Sequence, residues 1–295
     1  MGEIHEALRQ ANLTRSAPAG RAPAPAPERE PRERLAATVL PPAPPPAERQ
    51  PPRVVHLSRE RTGPWAARGL VLGGSGPAPE MLRHLALRIR RELKQRGARS
   101  LAIVSAQRGE GKTTMSCNVA LALASLESER SVALVDLDLR NPSVSGGLEV
   151  PHDSGIDDVL LGRRDLAAAR IGVDEPLLDV YPSRQAHMDA HKILGRPSFA
   201  TTVRALERQY ELVVFDTPPV LLVPDAAVIL ETVGCAAAVV RAGRSTKRSF
   251  TTLCAHLPAG RLIGTILNEG QPPIKTDNYG YYGGRSDEDD DTDQR

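Results

Sequence analysis

Charge of one sign, clustered cysteine and uninterrupted apolar runs are all scarce in this chain of 295 residues, and each scarcity removes a class of function. The formal net charge is only +2, too small to point to nucleic acid. Three cysteines, Cys117, Cys235 and Cys254, stand far apart and match no metal-ligand spacing. Buried thiols in a reducing compartment are expected. The stretch most like a membrane span, Leu212 to Leu230, is broken by Asp216, Asp225, Pro218, Pro219 and Pro224. A spanning helix needs about 20 largely apolar residues, so no crossing is expected. The first segment lacks the apolar core of a signal peptide. The residues after Gly2 do not continue a myristoylation motif.

What is present is unevenly distributed. Ile4, Ala7, Leu8 and Ala11 recur at helical spacing, which predicts a short amphipathic helix within residues 1–15. Residues 16–77 are rich in Pro, Ala, Arg and Glu, with prolines crowded between Pro41 and Pro52. Such a segment buries too little apolar surface to offset ordering entropy and predicts a disordered, partly polyproline linker. Residues 271–295 carry Gly, Tyr and acid and predict a flexible tail. The foldable unit is residues 78–270.

Within that unit the pattern alternates. A helix is expected over Glu80 to Gln95, with Leu82, Leu85, Ile89 and Leu93 as its apolar stripe. Apolar runs of strand length follow at Ser100 to Ser105, Val132 to Val135, Leu212 to Phe215, Ala236 to Val240 and Leu262 to Leu267. Helices are expected between them at Lys112 to Leu126, Thr201 to Gln209, Asp225 to Glu231 and Thr246 to Leu257. Continuous apolar strands alternating with helices predict an α/β fold, a doubly wound and mostly parallel sheet. Ligands of such sheets sit beyond the carboxyl ends of the strands, and the chemistry-bearing motifs fall there.

Ala106 to Thr113 fits the P-loop spacing, with Ala in place of the first Gly. Gly109 and Gly111 let the backbone turn its N–H groups toward phosphate, and the following helix adds its positive end. The phosphate-binding residues are therefore Gln107, Arg108, Gly109, Glu110, Gly111, Lys112, Thr113 and Thr114. Lys112 would reach the terminal phosphates and Thr113 would ligate magnesium. Asp136 and Asp138, one residue apart at the end of a strand and followed by Arg140, are costly to bury without a cation between them. Either could accept a proton. Asp216 ends another apolar strand, the position of a second magnesium anchor in P-loop nucleotidases. The implied ligands are ATP and Mg2+, with Thr113, Asp138 and Asp216 on the metal. Tyr279, Tyr281 and Tyr282 are three of the five tyrosines in the chain. In a Gly-rich tail their hydroxyls are reachable as acceptors.

Together these motifs resemble those of the bacterial tyrosine kinases of capsule and exopolysaccharide production, over about residues 78–284 and also at residues 1–11. The resemblance implies autophosphorylation of Tyr279, Tyr281 and Tyr282, with Lys112, Asp136 and Asp138 as catalytic residues and Asp136 drawing the tyrosine proton. It also implies a cytoplasmic protein, peripheral to the inner membrane through a separate adaptor or polysaccharide copolymerase, and a cognate tyrosine phosphatase. A homo-oligomer is implied as well. The family's ring contact, Glu-x-x-Arg-x-x-Arg, begins here as Glu80-Met81-Leu82-Arg83 and then has Ala86, with Arg88 half a turn further on. Arg108 stands where the family usually has Pro.

Two other functions share the same nucleotide residues. One is a catalytically weak ATP-binding switch that gates a membrane polysaccharide copolymerase. The other is a positioning ATPase of septum placement or plasmid partition, which carries an extra Lys early in the P-loop where this chain has Gln107.

Overall fold

The structure, a computed structural model, describes residues 53–55, 70, 77–128, 131–174 and 176–270. The expected helix of residues 1–15 and the tail with Tyr279, Tyr281 and Tyr282 lie outside these, as does most of the expected linker.

Eight strands form one sheet: β1 (Arg53–Val55), β2 (Ser100–Ser105), β3 (Val132–Asp136), β4 (Ile171–Val173), β5 (Leu178–Tyr181), β6 (Leu212–Asp216), β7 (Cys235–Arg241) and β8 (Leu262–Asn268). Their order is β1-β4-β5-β3-β6-β2-β7-β8. Every neighbouring pair is parallel except β4 with β5, which is antiparallel. The mostly parallel, doubly wound sheet is thus as the alternation of apolar runs predicts. One difference lies in the expected linker, where Arg53–Val55 pairs with β4 as an edge strand. Three residues are too few for a strand pattern to show.

Among the described residues are eight helices: α1 (Pro77–Gln95), α2 (Lys112–Ala124), α3 (Val144–Leu148), α4 (Ile156–Leu160), α5 (Ala190–Leu194), α6 (Pro197–Gln209), α7 (Asp225–Thr232) and α8 (Lys247–His256). The central strands β2, β3 and β6 are buried throughout and mostly apolar because both faces of the sheet are covered. Along β2, Leu101 and Ile103 enter one core with Ala86, Ile89 and Leu93 of α1 and most of α2. Ala102 and Val104 enter the other core with residues of α6, α7 and α8. The same alternation splits β3 and β6. α2 is buried all round, not along one stripe, because α1 packs across it. α6 begins at Pro197, earlier than the expected Thr201; proline at the first helical position gives up only an N–H that has no intrahelical partner. The elements between β3 and α6, including the β4–β5 pair, are three to five residues long and too short for periodicity to reveal.

The register places the site. Asp216 ends β6 directly beside Asp136 of β3 on one side and Ile103 of β2 on the other. The P-loop leaves the carboxyl end of β2, so all the sequence motifs gather at one end of the sheet.

α1 also settles which residues of the expected ring contact face outward. Glu80 and Arg83 are exposed and paired at 2.9 Å, whereas Ala86 is fully buried in the core that α1 shares with α2. An arginine at that position would bury an unpaired guanidinium. Ala86→Arg is expected to destabilise the fold by about 3 kcal/mol or more. Urea denaturation measures it, and an unchanged midpoint would place residue 86 at the surface.

Candidate functional site

The P-loop turns on two left-handed glycines, Gly109 at φ 75° and Gly111 at φ 88°. A side chain at Gly111 would come within 2.0 Å of Asn268 Nδ2, and one at Gly109 within 2.8 Å of Arg244 Nη1. Both glycines are therefore required by conformation, and Gly111 also by space, since the exposed Arg244 at Gly109 can swing aside while Asn268 is held by its bond to the Glu110 carbonyl. The loop is held from the side of β7 and β8. Asn268 Nδ2 donates to the Glu110 carbonyl at 3.1 Å, and Arg241 Nη1 donates to the Gly109 carbonyl at 2.8 Å. The Glu110 carboxylate is buried, accepts the Gln107 N–H at 2.8 Å and is bonded by the Ser245 hydroxyl. Its side chain braces the loop, so its contribution to a phosphate comes through the backbone.

At the start of α2 three side chains converge on Asp216. Lys112 Nζ lies 2.9 Å from Oδ1, Thr113 Oγ1 donates to Oδ2 at 2.7 Å, and Ser116 Oγ lies 2.9 Å from Oδ1. Asp138 Oδ2 is 3.8 Å from the same ammonium. Asp136 is wholly buried. Its Oδ2 accepts the N–H groups of Ser143 at 2.9 Å and Val144 at 3.0 Å, and its Oδ1 accepts that of Asp138 at 3.1 Å. Ser143 also places its hydroxyl 3.1 Å from Thr113 Oγ1, tying the loop after β3 to the P-loop.

Three buried carboxylates thus surround one buried ammonium. Burial alone would lower the pKa of Lys112, but the attraction of Asp216, Asp138 and Asp136 outweighs it and the ammonium is held above its ordinary value. Burial and then the Asp216 charge push the Asp136 carboxyl up to about 7, against the Val144 and Ser143 N–H groups and Lys112. Burial raises Asp138 to about 6, with Lys112 pulling back, Asp216 pushing further, and the Asn141 N–H and Arg108 pulling back again. Such carboxylates call for another cation. Among the described residues no group of three His, Cys, Asp or Glu side chains is placed to hold a metal. Magnesium fits that shortage, since it takes one or two carboxylates and fills its shell with phosphate oxygens and water. Thr113, Asp138 and Asp216 could hold it.

The structure therefore brings Gly109, Glu110, Gly111, Lys112, Thr113, Asp136, Asp138 and Asp216 together. The side chains of Gln107 and Arg108 stand exposed on the loop, and Thr114 is half-buried on the first turn of α2. Several supports carry no sequence signature. Arg140 forms an ion pair with the buried Asp225 of α7 and donates to the Met188 carbonyl at 2.8 Å. His187 donates its backbone N–H to the Leu139 carbonyl at 2.7 Å, and its Nε2 lies 2.8 Å from Oδ2 of the buried Asp157. These contacts hold the segment after Asp138 from the far side. Arg140, two residues after Asp138, was their only hint in the sequence.

Comparison with known proteins shows what the chain is similar to. An AAA domain family model matches residues 98–232. The chain is 30% identical over 190 residues to tyrosine-protein kinase YwqD of Bacillus subtilis, covering 64% of this chain and 79% of that one. It is 32% identical over 190 residues to tyrosine-protein kinase CpsD of Streptococcus agalactiae, covering 63% and 82%. The kinase domain of the Escherichia coli tyrosine kinase ETK superposes with a TM-score of 0.61 at 24% identity, covering 78% of this chain and 93% of that domain, a likeness of fold.

The raised carboxyls predict that magnesium and nucleotide binding releases protons. Near pH 6.5, groups titrating at about 7 and about 6 are partly protonated, and a bound cation favours their charged forms. The calorimetric heat of Mg·ATP binding is expected to depend on the ionisation heat of the buffer near pH 6.5 and to lose that dependence by about pH 8.5. Equal heats in all buffers at the lower pH would contradict it.

Proposed function

The chain belongs to the family of bacterial tyrosine-protein kinases, and on that premise we propose that it is an ATP-dependent autokinase that phosphorylates Tyr279, Tyr281 and Tyr282 of its own tail and so regulates capsule or exopolysaccharide polymerisation and export. The observation that carries the reading is the convergence of Lys112, Thr113, Asp136, Asp138 and Asp216 at the mouth of the P-loop.

The backbone of Gln107 to Thr114 cradles the phosphates, and Lys112 leaves Asp216 to meet them. When bound, Mg2+ neutralises charge on the phosphates and helps hold them in line for transfer. Thr113, Asp138 and Asp216 would hold the metal. Asp136, raised to about 7, is matched to draw a proton at neutral pH from a phenol whose own pKa is about 10. The phenolic oxygen then takes the terminal phosphoryl group, the bond to ADP breaks, and the proton remains on the carboxyl. Most of the acceleration comes from positioning and charge neutralisation.

The choice of acceptor has support from the other two tyrosines. Tyr181 and Tyr210 are buried, their hydroxyls 2.8 Å apart, and Tyr210 donates to Asp179 at 2.6 Å. Burial pushes both phenols further above their ordinary range. Neither is a substrate in the folded chain, which leaves the tail. Among the described residues no helix is long and apolar enough to cross a membrane. In this reading a separate membrane adaptor or polysaccharide copolymerase positions the kinase at the inner membrane, subunits phosphorylate one another, and a cognate phosphatase resets the tail.

Incubation with ATP and Mg2+, with and without adaptor, followed by phosphotyrosine mapping, tests the assignment. Label is expected on Tyr279, Tyr281 and Tyr282 and absent from Tyr181 and Tyr210. Lys112→Met should lower it by about 100-fold or more. An unlabelled tail with ATP binding intact would replace the kinase with an ATP-dependent switch.

A further inference from the structure

At the opposite end of the sheet from the P-loop, a surface cleft of 540 Å3 opens among Arg96, Arg99, Glu207, Gly234, Gly260 and Arg261. It lies under the amino ends of β2, β7 and β8, about 20 Å from the nucleotide site along the six residues of β2. Ligands of a parallel sheet bind at the other end, so the cleft is not an extension of that site.

Its walls are basic and built. Arg96 Nη1 donates to the Gly260 carbonyl at 2.7 Å. Arg261 Nη1 donates to the carbonyls of Val233 and Gly234, each at 2.9 Å. Arg99 Nη1 donates to the Glu207 carbonyl at 3.3 Å. These bonds fix the guanidiniums in place while leaving most of the five N–H donors of each for another acceptor. The carboxylate of the cleft, on Glu207, is taken by the Ser100 hydroxyl at 2.5 Å. Among the described residues no carboxylate pairs with Arg99 or Arg261, and Arg96 has only Glu92 at 3.8 Å. On α1, by comparison, Arg83 and Arg90 are each paired at 2.9 Å with Glu80 and Glu127.

We infer that this cleft binds the acidic end of the same chain, Asp287, Glu288, Asp289, Asp290, Asp291 and Asp293. Fixed guanidiniums with no close carboxylate among the described residues suit a carboxylate-rich strand, since each can engage a carboxylate through charge-assisted bonds. The reach suffices. β8 ends at Asn268, so the tail must return along seven strand residues, about 23 Å. Residues 271–286 can extend to about 50 Å. Tethering supplies an effective concentration of order millimolar, so modest intrinsic affinity is enough. Tyr279, Tyr281 and Tyr282 lie on the connecting stretch, so docking anchors the tail on both sides of them. The inference does not depend on the kinase reading.

Hydrogen exchange on the full-length protein tests it. One arm is the native chain. The other is a full-length variant with Asp287, Asp289, Asp290 and Asp291 changed to Asn and Glu288 to Gln. In about 50 mM salt, exchange at residues 96–99 and 259–261 is expected to be several-fold slower in the native chain, independent of protein concentration, with the difference gone near 500 mM salt. Arg99→Gln with Arg261→Gln should remove it as well. Equal exchange in the two chains at low salt would overturn the inference, whatever the stability of the arginine variant. Protection that grows with protein concentration would assign the cleft to a neighbouring copy, and protection found only with phosphatidylglycerol vesicles would assign it to a membrane surface; either result would also overturn it.

Discussion

The carboxylate of Asp216 is the point from which the rest of the site is organised. It ends β6, the strand between β2 and β3, and is completely buried. An isolated charge there would be prohibitively costly. Lys112, Thr113 and Ser116, all from the first turns of α2, make it tolerable. This arrangement has a consequence for binding. The ammonium that must meet phosphate, and the hydroxyl that must meet metal, are both engaged with Asp216. In the proposed function ligand binding would exchange partners, Lys112 turning to phosphate while magnesium, if bound, would balance the charge of Asp216.

Around that centre lie two braces. On one side, β7 and β8 hold the P-loop through Asn268, Arg241 and the buried Glu110–Ser245 pair. On the other, Arg140–Asp225 and Asp157–His187 hold the segment after Asp138. Rigid support of this kind lets a few polar groups act in a fixed geometry without reorganising during transfer. It also leaves the opposite end of the sheet free for a different task, which the carbonyl-anchored arginines of the basal cleft suit.

Much of this was legible before any coordinates. Apolar runs such as Ser100 to Ser105 and Leu212 to Phe215 announced buried strands because a parallel sheet covered on both faces leaves no polar side. Gly109, Gly111 and Lys112 announced the loop because phosphate binding needs those residue types at that spacing. Less legible were contacts made by residues distant in sequence. Nothing local in Asn268 or Ser245 says that it touches the P-loop, and nothing local in His187 says that it meets Asp157. The β4–β5 pair and edge strand β1 were missed because strands of three or four residues carry too little pattern. The burial of Ala86 was hidden for a different reason: alanine fits either face of a helix, and only packing decides.

ATP affinity in an Asp216→Ala variant, measured with and without magnesium, tests the central role of this carboxylate most directly. Without metal, removing the competitor for Lys112 and a charge that repels phosphate should tighten ATP binding relative to the native chain. With magnesium, loss of the metal anchor should weaken it, about 10-fold or more. A sign that reverses with the metal is the predicted result. Weaker binding under both conditions would contradict the account, showing that Asp216 supports the nucleotide without first restraining Lys112.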